Sequence, residues 1–266
     1  MDREQEILWR PATDDIRNSR LTAYRSWLMD TYSLSFGDYE ALWAWSVEQP
    51  EFFWKTIADY FSVRFHSPFQ SVLSGGPMPD AQWFVGGTLN YAEHIYLGMS
   101  GQDTAILFTS ENGLTRQISV KEMWREVARF QTYFIKHGVK AGDRIAGYLP
   151  NIPEATYAFL AAVSLGAVWS CCSQDFGVSS VVDRFAQIEP ALLISADGYF
   201  YNGKTHSRIH EIQAIRAALP GLKETVLVNY TGIDTGDLDP GVIHLNRLDD
   251  PASDVLVLGD SFLRIY

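Results

Sequence analysis

Cysteine is almost absent from the 266-residue chain. The only two, Cys171 and Cys172, are adjacent, which suits neither a disulfide framework nor a metal site with separated ligands. A reduced, cytoplasmic setting is the simplest expectation. Positive charge is also scarce, with Lys+Arg 21 against Asp+Glu 32 and a net charge of −11. That balance excludes a general nucleic-acid binder, which needs a basic face to displace counterions. The opening residues MDREQEILWRP hold no apolar core of a secretory signal. Ala155 to Gln174 carries no charge and has the length of a membrane span. It is nevertheless interrupted by Thr156, Ser164, Gly166, Ser170 and Ser173, and no Lys or Arg lies close beside it. A buried helix, a glycine stop and a buried strand account for it better, so no membrane partner is expected. There is no internal repeat and no low-complexity tract.

What is present is a hydrophobic fraction of 47% and an aromatic fraction of 14%, enough for a sizeable core. The first part, to residue 98, reads as helix and loop and holds six of the eight tryptophans. Ser19 and Asp38 are placed to cap helices, and Pro50 takes the favoured first-turn position of a third. The tryptophans at helical spacing are expected to be packing surface. Ser74–Pro79 reads as loop.

The texture changes near residue 103. Ala105–Ser110 and Arg116–Ser119 flank a Glu-Asn-Gly-Leu hairpin signal. Ser119 and Glu122 form a capping-box pattern for a helix stopped by Gly138. Strands are then predicted at 144–149, 167–172, 191–196 and 225–230. Helices are predicted at 153–165, from Ser180 to before Pro190, and at 209–219. This alternation predicts an α/β fold: a Trp-rich helical N-terminal cap, a β-hairpin, and a doubly wound, mostly parallel sheet.

Several short motifs compete for a chemical role. Gly198–Thr205 matches the phosphate-loop pattern G-x-x-x-x-G-K-[ST] letter for letter, which raises a P-loop NTPase as one alternative. Its bulky middle (Tyr199, Phe200, Tyr201) speaks against backbone curling around phosphate. Asp175-Phe-Gly177 lacks every companion motif of a kinase and reads as a turn. Leu258-Gly-Asp-Ser261 resembles a hydrolase nucleophile turn but has no recognisable base. His206 and His210, four apart at a helix start, have no third ligand at a recognisable spacing, so no metal site is expected. The acidic run Asp234 to Asp260 reads as solvated loop. The ligand edge is expected near residues 173–178 and 197–205, where open α/β sheets bind.

At these same residues the chain resembles the acetoacetyl-CoA synthetase family, within the adenylate-forming acyl-CoA synthetase superfamily. The resemblance rests on Ile7–Pro11, Pro77–Pro79, Trp83–His94, Gly142–Ala155 and Gly166–Gly177. It implies a helical cap at 1–98 and, at 99–266, the first part of an adenylate-forming (AMP-binding) domain, truncated before the phosphate loop. It further implies a ligase that converts acetoacetate, or a similar short acid, with ATP, Mg²⁺ and CoA to acyl-CoA, AMP and pyrophosphate. The chain has no Ser/Thr-Gly-rich phosphate loop ending in Lys and no Tyr-Gly-x-Thr-Glu adenine strand. No catalytic residue is therefore assigned, and the 266 residues alone are expected to be inactive. At most CoA is expected to bind, through Lys204, Gly203 and Tyr201, in the loop whose basic side chains meet CoA phosphates in relatives. Lys204 stands where Arg is common there, and Tyr201 where acetyl-CoA synthetases carry a basic residue. A non-catalytic CoA-binding or assembly module is the other alternative, with an unfinished sheet at Val255–Leu258 inviting self-association.

Overall fold

The computed structural model describes residues 8–99, 103–236 and 238–249. It divides into two compact units that part between Gly87 and Thr88.

The first unit holds α1 (Thr13–Arg17), α2 (Arg20–Tyr32), α3 (Tyr39–Glu48) and α4 (Pro50–Tyr60). The expected caps form. Ser19 Oγ accepts from Thr22 N–H at 3.1 Å and Asp38 Oδ1 from Ala41 N–H at 2.8 Å, each satisfying an orphan donor of the first turn. Tyr24, Leu28 and Leu42 form the buried centre, with Trp27, Trp45 and Phe53 against them. Two features depart from expectation. Strands β1 (Ser71–Ser74) and β2 (Gln82–Val85) pair antiparallel, so the cap is not purely helical. The second concerns the tryptophans, not all of which pack: Trp9, Trp43 and Trp54 remain 75%, 56% and 43% exposed.

In the second unit, α5 (Tyr91–Leu97) precedes the hairpin of β3 (Thr104–Thr109) and β4 (Thr115–Ser119). Asn90, fully buried, starts α5: its Oδ1 accepts from Ala92 and Glu93 N–H, and its Nδ2 donates to Val163 O and Ser164 O. The chain continues through α6 (Val120–Lys136), β5 (Arg144–Tyr148), α7 (Pro153–Ser164), β6 (Val168–Cys172), α8 (Val178–Ala186) and β7 (Leu192–Ala196). There follow β8 (Gly198–Tyr201), β9 (Lys204–Ser207), α9 (Ile209–Ala218), β10 (Glu224–Val228) and β11 (Val242–His244). Helix α8 starts two residues before the expected Ser180, because Gly177 rather than Ser180 is the residue that turns extended chain into helix.

Five strands make one parallel sheet in the order β11-β10-β7-β5-β6. Side chains alternate between its faces, as a period of two requires. Leu192 and Ile194 of β7 join α6 and α7 through Phe130, Phe134 and Tyr157. Leu193 joins α8 and α9 through Phe185, Ile212 and Ile215. Burying each such side chain contributes about 1.5–3 kcal/mol, so both helical layers are held on by core packing. The expected doubly wound sheet is therefore present. The two edges differ: β11 is three residues long, whereas β6 lies within the charge-free stretch and leaves Val168 49% exposed. Among the described residues no helix is long and apolar enough to cross a membrane.

Candidate functional site

From β5 the chain passes by α7 to β6 on one side, then by α8 to β7 on the other. The connections diverge there, and sheets of this type take ligands at the strands' carboxyl ends beside such a point.

Polar side chains brace that edge. Gln174, which follows β6, donates from Nε2 to Ala196 O at 2.7 Å. Ser195 Oγ donates to Tyr148 O at 2.8 Å. The Tyr148 hydroxyl is shared between Phe176 O at 2.9 Å and Gln174 O at 3.2 Å. Burial pushes that hydroxyl up to about 12, so it stays a donor at neutral pH. Asp197, fully buried after β7, accepts three backbone N–H groups: Tyr230 at 3.0 Å, Thr231 at 2.8 Å and Gly232 at 3.0 Å. It thereby ties the loop after β10 to the end of β7.

Between β7 and α9 stands the β8–β9 hairpin. Its two-residue turn is Asn202-Gly203, both at positive φ (49° and 69°), the conformation a type I′ turn demands and Asn-Gly supplies. Gly198 lies so close to β9 that a Cβ there would sit 2.2 Å from His206 O. Phe200 packs on Tyr230 with ring centroids 5.3 Å apart, so the loop held by Asp197 also supports the hairpin. At its base, Arg208 donates to Gln174 O at 2.7 Å, Tyr199 Oη at 3.0 Å and Glu211 at 2.9 Å.

The hairpin overturns the phosphate-loop match. Residues 198–201 and 204–207 are paired strands, whereas a phosphate loop needs consecutive N–H groups curled at a helix start. The letters coincide because an Asn-Gly turn happens to precede a Lys-Thr pair. His206 lies in β9 and His210 in α9, so they are not one turn apart on a helix. Among the described residues no three His, Cys, Asp or Glu side chains gather as metal ligands. Asp175–Gly177 is a turn, as expected. Ser261 and the apolar run Val255–Leu258 lie outside the described residues.

The three residues expected to meet CoA come together at the hairpin tip. Tyr201, Gly203 and Lys204 are all exposed, and Tyr201 pairs directly with Lys204 across the turn. Lys204 is in a strand rather than the expected loop, and among the described residues its ammonium forms no ion pair. Sequence reasoning missed Tyr148 and Arg208, and held Gln174 and Asp197 only as unassigned members of the expected ligand edge. For Gln174 and Asp197 one signal was available: a polar residue at or soon after the end of an apolar strand.

Residues 98–252 match the family described as AMP-binding enzyme. The chain belongs to that family. Residues 39–95 match the family described as acetyl-coenzyme A synthetase N-terminus. Among AMP-binding enzymes, the chain is 37% identical over 231 residues to acetoacetyl-CoA synthetase of Macaca fascicularis, covering 85% of this chain and 34% of that protein. It is 36% identical over 235 residues to the acetoacetyl-coenzyme A synthetase of Rhizobium meliloti (strain 1021), covering 88% of this chain and 36% of that protein. The solved acetoacetyl-CoA synthetase from Streptomyces lividans superposes with a TM-score of 0.88 at 37% identity, over 96% of this chain and 39% of that one. The chain thus spans about a third of the length of these AMP-binding relatives and corresponds to their N-terminal part.

Proposed function

We propose that this chain supplies the N-terminal part of an ATP-dependent acid–CoA ligase acting on acetoacetate or a similar short acid. The observation that carries the reading is the 37% identity to acetoacetyl-CoA synthetases along 85% of the chain. In this reading residues 1–98 are the helical cap and 99–266 the first part of the adenylate-forming domain. The family matches at 39–95 and 98–252 support that division. ATP and Mg²⁺ would serve the whole ligase. No acidic cluster fit for Mg²⁺ occurs among the described residues, so no step is assigned to the metal on this stretch.

CoA is the one cofactor for which residues here fit. The hairpin tip offers a lysine free of ion pairs among the described residues, an exposed ring at Tyr201 and a tight turn through Gly203. Lys204 would meet a CoA phosphate through a charge-assisted hydrogen bond, which is stronger than a neutral one. A cytoplasmic setting fits two cysteines that are both free thiols.

Two measurements on the 266-residue chain test this. Titration calorimetry with CoA should give saturable binding that Lys204→Ala weakens, and no binding would sink the CoA assignment. ATP–pyrophosphate exchange with acetoacetate should be silent, and clear exchange would sink the expectation that the stretch alone is inactive.

A further inference from the structure

One face of the β8–β9 hairpin is committed to the fold, and the other is held only at its base, where Arg208 meets Tyr199. Phe200 points to the first, against Tyr230. Tyr199 pairs with His206 and Tyr201 with Lys204, and directly opposed residues share a face, so these four side chains stand together on the second. The His206 ring is parallel to Tyr199, 5.1 Å between centroids at 16°, and Tyr201 lies 6.4 Å from it. Arg208 sits 5.0 Å over the Tyr199 ring and bonds its hydroxyl, which fixes the stack from below. Among the described residues neither ring nitrogen of His206 has a hydrogen-bond partner, so stacking alone orients the imidazole. From Gly198 to His210 there is no acidic residue, within a chain of net charge −11.

We propose that His206 is a specificity-determining residue of this face: with Lys204 it forms a two-point clamp on the phosphates of a nucleotide, and the Tyr201 ring receives the base. The inference rests on the CoA reading above and adds His206, which that reading does not use. Lys204 and His206 are two residues apart on one strand, so their side chains leave the backbone about 7 Å apart and can hold two phosphate groups or two oxygens of one. An exposed aromatic ring beside them suits any base, because every base has a π-face.

The test compares CoA, dephospho-CoA and ADP by calorimetry against the unmodified chain and three variants. His206→Phe keeps the ring on Tyr199 and removes both nitrogens. It is expected to leave the melting temperature unchanged and weaken CoA about 5–10-fold, the loss of one charge-assisted bond. It should also shrink the preference of CoA over dephospho-CoA. Tyr201→Leu is expected to weaken CoA and ADP alike. The clamp is overturned if His206→Phe binds CoA as tightly as the unmodified chain while Lys204→Ala binds it weakly; the CoA reading then still stands. If the unmodified chain binds no CoA, both fall. Should His206→Phe fold poorly, His206→Gln replaces it, and unchanged CoA preference in that variant together with an unaffected Tyr201→Leu overturns the clamp equally.

Discussion

Replacing Asp197 with alanine removes the acceptor of three backbone N–H groups at once, those of Tyr230, Thr231 and Gly232. The carboxylate is fully buried, so water does not stand in for it without opening the loop. Each buried donor left unpaired costs about 1–3 kcal/mol. Gly232 is exposed and also donates to Asn229 Oδ1, and Tyr230 N–H keeps Val228 O at 3.1 Å, which leaves Thr231 to bear most of the loss. The expected destabilisation is therefore about 1.5–3 kcal/mol, the range for losing a hydrogen bond to a charged group. Asp197→Asn keeps one acceptor oxygen but aims an amide at the remaining N–H groups, and should lose roughly half as much. Urea denaturation followed by circular dichroism measures both. Native-state hydrogen exchange should show faster exchange at Tyr230 and Thr231 in the alanine variant. The reasoning fails if Asp197→Ala loses less than about 1 kcal/mol while those two amides keep their protection. Because Tyr230 carries Phe200, CoA affinity should fall in the same variant even where it remains folded.

Asn90→Ala breaks two side-chain donations to the end of α7 and the cap of α5, and should cost about 2–4 kcal/mol in the same denaturation assay. Gly198→Ala forces a Cβ to within 2.2 Å of a backbone oxygen. It should disorder the hairpin and abolish CoA binding, and an unchanged affinity would refute the close approach. Raising the pH probes Tyr148, whose hydroxyl is held up to about 12 by burial against an ordinary 10.0. Its contribution is full below pH 10, where the phenol is neutral folded or unfolded. Above pH 10 only the unfolded chain ionises, so stability falls toward pH 12 by up to about 1.4 kcal/mol per unit. Tyrosinate absorbance for this residue should appear together with loss of far-ultraviolet dichroism. A Tyr148→Phe variant with the same alkaline profile would refute that assignment.

Most of the second unit is legible in the sequence, because its strands are nearly continuous apolar runs and its helices carry explicit start and stop signals. Ser119 caps α6 by accepting from Glu122 N–H, and Pro153 opens α7. What escaped were short strands. Strands β1 and β2 are four residues each, and β1 ends at the serine taken as the start of a loop. Strand β11 hides in an acidic stretch, where charge outweighed three strand-forming residues, Val242 to His244. At the site, a pattern match between Gly198 and Thr205 obscured the stronger local signal, Asn-Gly flanked by aromatics. Lys204, Gly203 and Tyr201 were singled out from family likeness, and chain pairing explains why they stand together. The bracing roles of Asp197 and Gln174 were not legible because their partners are backbone atoms tens of residues away, and Arg208 likewise reaches Gln174 O across 34 residues, which no local spacing encodes.

The β6 edge bears on how the protein behaves in a tube. Among the described residues β6 pairs only with β5, and no charged residue, proline or bulge guards its outer side. Unguarded edges are templates for adding strands from other molecules, so concentrated samples should precipitate by sheet growth before they unfold. Val168 and Cys171 are the exposed positions on that strand, and a single lysine at Val168 would act as a gatekeeper at little cost to the core. Val168→Lys is thus the natural background in which to measure every variant above at high concentration.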